Sequence, residues 1–277
     1  MRLGGQVIVE NRNPEIWVNA LVKAGFRATT LPSVNPENPG ELDEYLNMAR
    51  RHDIQISEVG AWSNPISRDE DTRKKAIAYC IERLELAERI GARSCINIAG
   101  SRGEQWDGPD PENFSSETFE LIVDTTRTII DAVKPERTVF ALEMMPWCYP
   151  DSADSYLALI KSIDRKGFGV HFDPVNIISS PRAYYNNGEI IRDFITRLGP
   201  YIRNCHAKDI LLRGKLTVHL DEVIPGQGIL DYRTFLTELN KLDPDTSLII
   251  EHLSTNEEYA QAAEYISGIA SELKISL

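Results

Sequence analysis

Short apolar runs and amphipathic stretches of helical period alternate along this chain eight times over, and that alternation constrains its fold more than any other feature. The predicted strands cover residues 3–9, 28–31, 54–61, 94–99, 138–143, 169–173, 202–207 and 248–251. Helical patterns fill 14–24, 41–52, 72–90, 116–133, 153–163, 189–198, 232–242 and 257–273. The clearest is 72–90, where Ile77, Cys80, Ile81, Leu84, Ala87 and Ile90 recur at three- and four-residue spacing to make one apolar stripe, and Gly91 supplies a left-handed cap. Thr255 with Glu258 three residues later reads as a capping box for the last helix. Consecutive strand–helix units give parallel strands joined by right-handed crossovers. No glycine fingerprint follows the first strand, so a closed (βα)8, or TIM, barrel is expected instead of an open doubly wound sheet. The length of 277 residues suits one such α/β domain spanning 1–277, since these barrels commonly take about 250 residues.

Parallel barrel strands all end on one face, so what stands at their ends decides what the chain can do. The runs TVFALE, FGVHFD, IRNCHA and SLIIE end at or beside Glu143, Asp173, His206 and Glu251, all metal-ligand residue types. Period-two counting puts Gly169, His171 and Asp173 on one face of their strand and Val170 and Phe172 on the other; Asn204, His206 and Lys208 likewise share a face, with Cys205 and Ala207 turned to the helices. Glu251 follows Ile249 inward, and His252 is expected to point outward if the strand continues. A buried carboxylate without a partner costs several kcal/mol, so three of them with an imidazole call for one divalent cation. Any one of the four alone reads better as structure: Asp173, before Pro174, as an Asx turn, the glutamates as ion-pair partners, His206 as a core histidine. Four on successive strands have no such reading. His52 is expected to be structural, and His219, in the HLDE segment after the seventh strand, is equally compatible with a loop that reaches the site and with one that does not.

The 42 acidic against 30 basic residues give a formal charge of -12, which repels phosphate backbones and anionic lipid; neither a nucleic-acid nor a membrane partner is expected. Four cysteines without paired spacing read as reduced, and neither a signal segment nor an 18-residue apolar span is evident, pointing to the cytoplasm. Trp62, Trp106 and Trp147 follow the third, fourth and fifth strands, with Tyr184 and Tyr185 after the sixth; such flat surfaces suit the C–H faces of a sugar. Trp17, on the first helix, is expected in the core. Arg102, Arg182 and Arg213 are isolated, so a neutral sugar or sugar-like ketone is favoured over a phosphorylated one.

The segments EMMPW at Glu143, HFDPVN at Asp173, CHAKD at His206, PGQGILDYRTFL from Pro225 and IIEHL at Glu251 resemble, in order and over nearly the whole chain, the xylose isomerase-like superfamily of barrels and its sugar phosphate isomerase/epimerase group. The resemblance implies that Glu143, Asp173, His206 and Glu251 bind one divalent metal, manganese first, with magnesium, cobalt and zinc compatible, and that Glu143 and Glu251 double as acid and base. The chain departs from ketose 3-epimerases of the group, which carry a histidine where Asn176 stands and a second glutamate soon after Glu143. It also lacks the extra histidines of the superfamily's trinuclear DNA-repair nuclease. The expected reaction is proton transfer next to a carbonyl, through an enediolate stabilised by the metal, as in a sugar isomerase or epimerase. His171, Lys208, Trp62 and Trp147 are the expected substrate-binding residues. The alternative is a lyase on the same site, of the inosose dehydratase or 3-keto-glycoside eliminating kind. The sequence does not fix the oligomeric state, although relatives are often dimers or tetramers.

Overall fold

Strands and helices succeed one another much as the patterning demands. They are β1 (Arg2–Gly4), α1 (Pro14–Lys23), β2 (Ala28–Thr30), α2 (Pro39–Arg51), β3 (Gln55–Gly60), α3 (Glu70–Ile90), β4 (Ser94–Asn97), α4 (Ser116–Val133), β5 (Phe140–Glu143), α5 (Ala153–Ile163), β6 (Phe168–Phe172), α6 (Pro181–Tyr185), α7 (Asn187–Leu198), β7 (Ile202–Ala207), β8 (Asp209–Arg213), β9 (His219–Val223), α8 (Tyr232–Leu239), β10 (Ser247–Ile250) and α9 (Asn256–Glu272). The computed structural model describes residues 1–9, 13–34 and 39–277. Eight strands close into a parallel barrel in the order β1-β10-β7-β6-β5-β4-β3-β2, and β8 and β9 form a separate two-stranded sheet. The expected (βα)8 barrel is therefore the observed fold.

Tertiary contacts are densest within two parts of the chain, residues 1–57, 179–192 and 204–277, and residues 58–178 and 193–203. In the first, β1 lies between β2 and β10, with Leu3 opposite Leu248 and Gly4 opposite Ala28. Asn13 caps α1 by accepting the N–H groups of Glu15 and Ile16 at 2.9 and 3.1 Å. The helix buries Trp17, Val18 and Leu21, and Trp17 meets Tyr45 of α2 edge to face at 5.1 Å, a core tryptophan as expected. Thr255 and Glu258 make the expected capping box at the start of α9.

In the second part, β3, β4, β5 and β6 pair in parallel. The apolar stripe of α3 buries Cys80, Leu84, Ala87 and Ile90, each large aliphatic side chain contributing about 1.5–3 kcal/mol, and Gly91 at φ 75° ends the helix in the left-handed region. The Tyr156 hydroxyl of α5 donates to the Leu142 carbonyl at 2.6 Å and lies 3.0 Å from that of Gly169, so one side chain ties together the backbones of β5 and β6. Phe172 stacks on Phe194 of α7 at 4.2 Å, which fixes the outward face of β6 and confirms its strand phase.

Two expectations need correcting. Strand pairing in β1 ends at Gly4, because residues 5–9 leave the ladder. The stretch after β7, expected as a loop, is the antiparallel hairpin β8–β9, in which Asp209 faces Val223 and Arg213 faces His219. Its second strand, HLDEV, is half exposed along its length and carries no apolar run to announce it.

Candidate metal centre

Glu143 is the last residue of β5 and lies opposite His171 in the register with β6. Asp173 comes directly after β6. Its Oδ1 accepts the N–H of Val175 at 2.9 Å, so the Asx turn expected of an aspartate before proline does form. That turn opens a short 3-10 segment, Val175–Ile177, from which Asn176 Nδ2 donates to Glu143 Oε1 at 2.9 Å.

His206 lies within β7 opposite Ile249, and Glu251 follows β10 by one residue. The Nδ1 of His206 is 2.8 Å from Glu251 Oε1, and the ammonium of Lys208, almost wholly buried, is 2.6 Å from the same oxygen. Glu222 of the hairpin places Oε2 3.7 Å from Lys208 Nζ. The condition for an outward His252 is not met, because β10 stops at Ile250 and the backbone turns through a left-handed residue at His252, φ 59°. Its Nδ1 comes 3.0 Å from Glu222 Oε1 and its Nε2 3.6 Å from Glu251 Oε1. The Glu222 carboxylate, aided by Glu251, raises the His252 imidazole above its ordinary pKa against the opposing pull of burial.

One ligand atom from each of Glu143, Asp173, His206 and Glu251 lies within 4.8 Å of every other, and this cluster, buried but for a half-buried Glu251, could hold a metal ion. The donor chemistry fits: carboxylate oxygens and an imidazole nitrogen suit manganese, magnesium, cobalt or zinc. The charge fits as well: the cluster brings three carboxylates together, and the Lys208 ammonium stands beside only one of them, Glu251, while also lying 3.7 Å from Glu222. Glu58, His171 and His206 form a second buried group of the same kind.

The hinge between these strands and the hairpin is Asp209, buried after Lys208. Its carboxylate accepts backbone N–H bonds from Ile210, Gly226, Gly228 and Leu230 at 2.8, 2.9, 3.1 and 2.9 Å. Burial nonetheless keeps its pKa above the ordinary value. A Cβ at residue 228 would stand 2.3 Å from both Asp209 Oδ1 and the Ile210 carbonyl, so the PGQG turn needs glycine there to close on Asp209. Tyr232 adds a bond from its hydroxyl to the Lys208 carbonyl at 2.7 Å.

The other expected substrate contacts divide. His171 and Lys208 are buried at the strand ends described above. Trp62 keeps an exposed ring after β3, whereas the Trp147 indole spends its N–H on the Asp107 carbonyl at 2.6 Å, and its own carbonyl accepts from Asn113 at 3.1 Å. His219 sits at the far end of the hairpin, and Glu222, three residues on, is the one that reaches Lys208. The sequence points to neither Glu222 nor Glu58, and to Asn176 only as a departure from the ketose 3-epimerases, without the role its contact with Glu143 gives it. For Glu58 a signal existed, a carboxylate amid the apolar run of β3; for Glu222 there was none, because a hairpin carries it to the site.

The xylose isomerase-like TIM barrel family matches residues 18–269. The chain belongs to this family. No curated protein matches it by sequence. Among solved structures it is similar to a D-psicose 3-epimerase with D-tagatose from Clostridium cellulolyticum H10, at 15% identity and TM-score 0.70 over 100% of both chains. It is also similar to the probable 3-DHS dehydratase AsbF, involved in petrobactin synthesis, from Bacillus anthracis, at 18% identity and TM-score 0.71, covering 97% of this chain and 98% of that one. A third is a xylose isomerase-like TIM barrel protein from Mycobacterium smegmatis in complex with magnesium, at 16% identity and TM-score 0.68, covering 94% and 90%. Among the described residues no helix is long and apolar enough to cross a membrane.

Proposed function

We propose that this family member is a divalent-metal-dependent sugar isomerase or epimerase acting on a neutral sugar or sugar-like ketone. The observation that carries the reading is the ligand-type cluster of Glu143, Asp173, His206 and Glu251, two of whose members are glutamates able to move a proton. A divalent ion held there, manganese first, with magnesium, cobalt and zinc compatible, supplies positive charge where negative charge develops on a carbonyl oxygen. Glu143 and Glu251 take the proton beside the carbonyl and give it back. Return to the other face of the same carbon is epimerisation; return to the neighbouring carbon is isomerisation. Lys208, beside Glu251, offers a cationic donor to a substrate oxygen; His171 steadies a second oxygen; Trp62 presents a flat wall to the sugar, with Trp147 behind the loop it pins. The four buried free cysteines support a reducing, cytoplasmic setting.

Elimination is the second reading, favoured by the similarity to a dehydratase. It uses the same proton abstraction followed by loss of a β-substituent. Incubation with ketoses, inososes and 3-keto glycosides in heavy water with manganese separates the two. The proposal expects deuterium in a recovered sugar and loss of turnover on chelation; a dehydrated product assigns elimination, and neither outcome with any substrate removes both.

A further inference from the structure

We propose that Asn176 is a positioning residue that holds the Glu143 carboxylate in the orientation proton transfer requires. The inference rests on the reading of Glu143 as an acid–base residue and adds the part that sets its geometry. Asn176 Nδ2 donates to Glu143 Oε1 at 2.9 Å, and the amide must present nitrogen and not oxygen, since two acceptors would repel.

The placement of this amide is not left to a mobile side chain. Asp173 Oδ1 holds the N–H of Val175, Pro174 has its φ set at -66°, and Ile178 N–H closes the turn on the Val175 carbonyl at 3.1 Å. Val175 and Ile178 are buried on either side of Asn176 and anchor the turn in the core. The carboxylate of Asp173 thus orders the segment that orients the carboxylate of Glu143, coupling two members of the cluster through four consecutive residues. A neutral amide is suited to the task. It restrains one oxygen without adding charge to a site that already contains carboxylates, and its donor does not change with pH. A base held in one rotamer surrenders no side-chain freedom when it reacts, which is where misplacement would otherwise slow the step.

The test compares wild type with N176A, which removes the donor, and N176D, which replaces it with a like charge. Crystal structures of wild type and N176A in the same conditions read the claim without any turnover: a single Glu143 rotamer in wild type and a rotated or multiply placed carboxylate in N176A are expected, and an unchanged, single rotamer in both overturns it. Kinetically, the rate of deuterium exchange at saturating ketose falls by about 10–100-fold in N176A and further in N176D, with KM and the melting temperature near wild type. Loss that tracks lowered melting temperature in both variants, or full exchange in N176A, also overturns it. If wild type exchanges deuterium into no substrate, the proton-transfer reading fails while the rotamer comparison still decides the role of Asn176.

Discussion

Glu143 and Glu251 belong to one cluster but have different neighbours. Glu143 receives a neutral amide from Asn176, whereas Glu251 stands beside the Lys208 ammonium and the His206 ring. Replacing either glutamate by glutamine removes the proton acceptor, and solvent deuterium exchange is expected to fall by about 10²–10⁴-fold in E143Q and in E251Q, measured by mass spectrometry of recovered sugar. At Gly228 the expectation concerns folding. A methyl group there collides with Asp209 and the Ile210 carbonyl, so G228A is expected to lose about 1–3 kcal/mol in denaturant titration and to loosen the turn that Asp209 clamps. The ligand-type residues stood out in the sequence because each lies at or directly beside the end of an apolar run, and within β6 the strand period gives the correct phase, with Phe172 stacked outward on Phe194. The direction of His252 depends on whether the strand continues, and it does not: β10 ends two residues earlier, at Ile250.

At the scale of elements, the strand–helix repeat was readable because each barrel strand is an apolar run, while the β8–β9 hairpin obeys a different rule. Its pairing is backbone hydrogen bonding on a half-exposed ribbon, so no apolar period marks it, and the salt link from Glu222 to Lys208 joins residues brought together only by the turn. The motif PGQG was conspicuous in the sequence, yet its physical role shows only in the structure: its N–H groups close on the Asp209 carboxylate and seat the base of the hairpin. Tyr156 does comparable work between β5 and β6. Removing its hydroxyl in Y156F leaves the ring in place, and a loss of about 1 kcal/mol, seen as a drop of roughly 2 °C in melting temperature, is expected.

For the whole molecule, the proposed metal site predicts that stability and metal binding are coupled, because its carboxylates would repel one another without a counter-ion. Saturating manganese at about 100 times its dissociation constant is expected to stabilise the fold by about 2.7 kcal/mol, and chelation to reverse it, in thermal unfolding. The thiols give an independent check of packing. All four are buried, and burial pushes Cys80 up to about 11 and Cys148 up to about 12, so at pH 8 none should react quickly with a disulfide reagent until the chain is unfolded. The most direct measurement is anomalous diffraction from crystals grown with manganese. The account predicts one peak per chain, ligated by Glu143, Asp173, His206 and Glu251 and absent in a D173N/H206N double variant; a peak elsewhere, or none at saturating manganese, contradicts it.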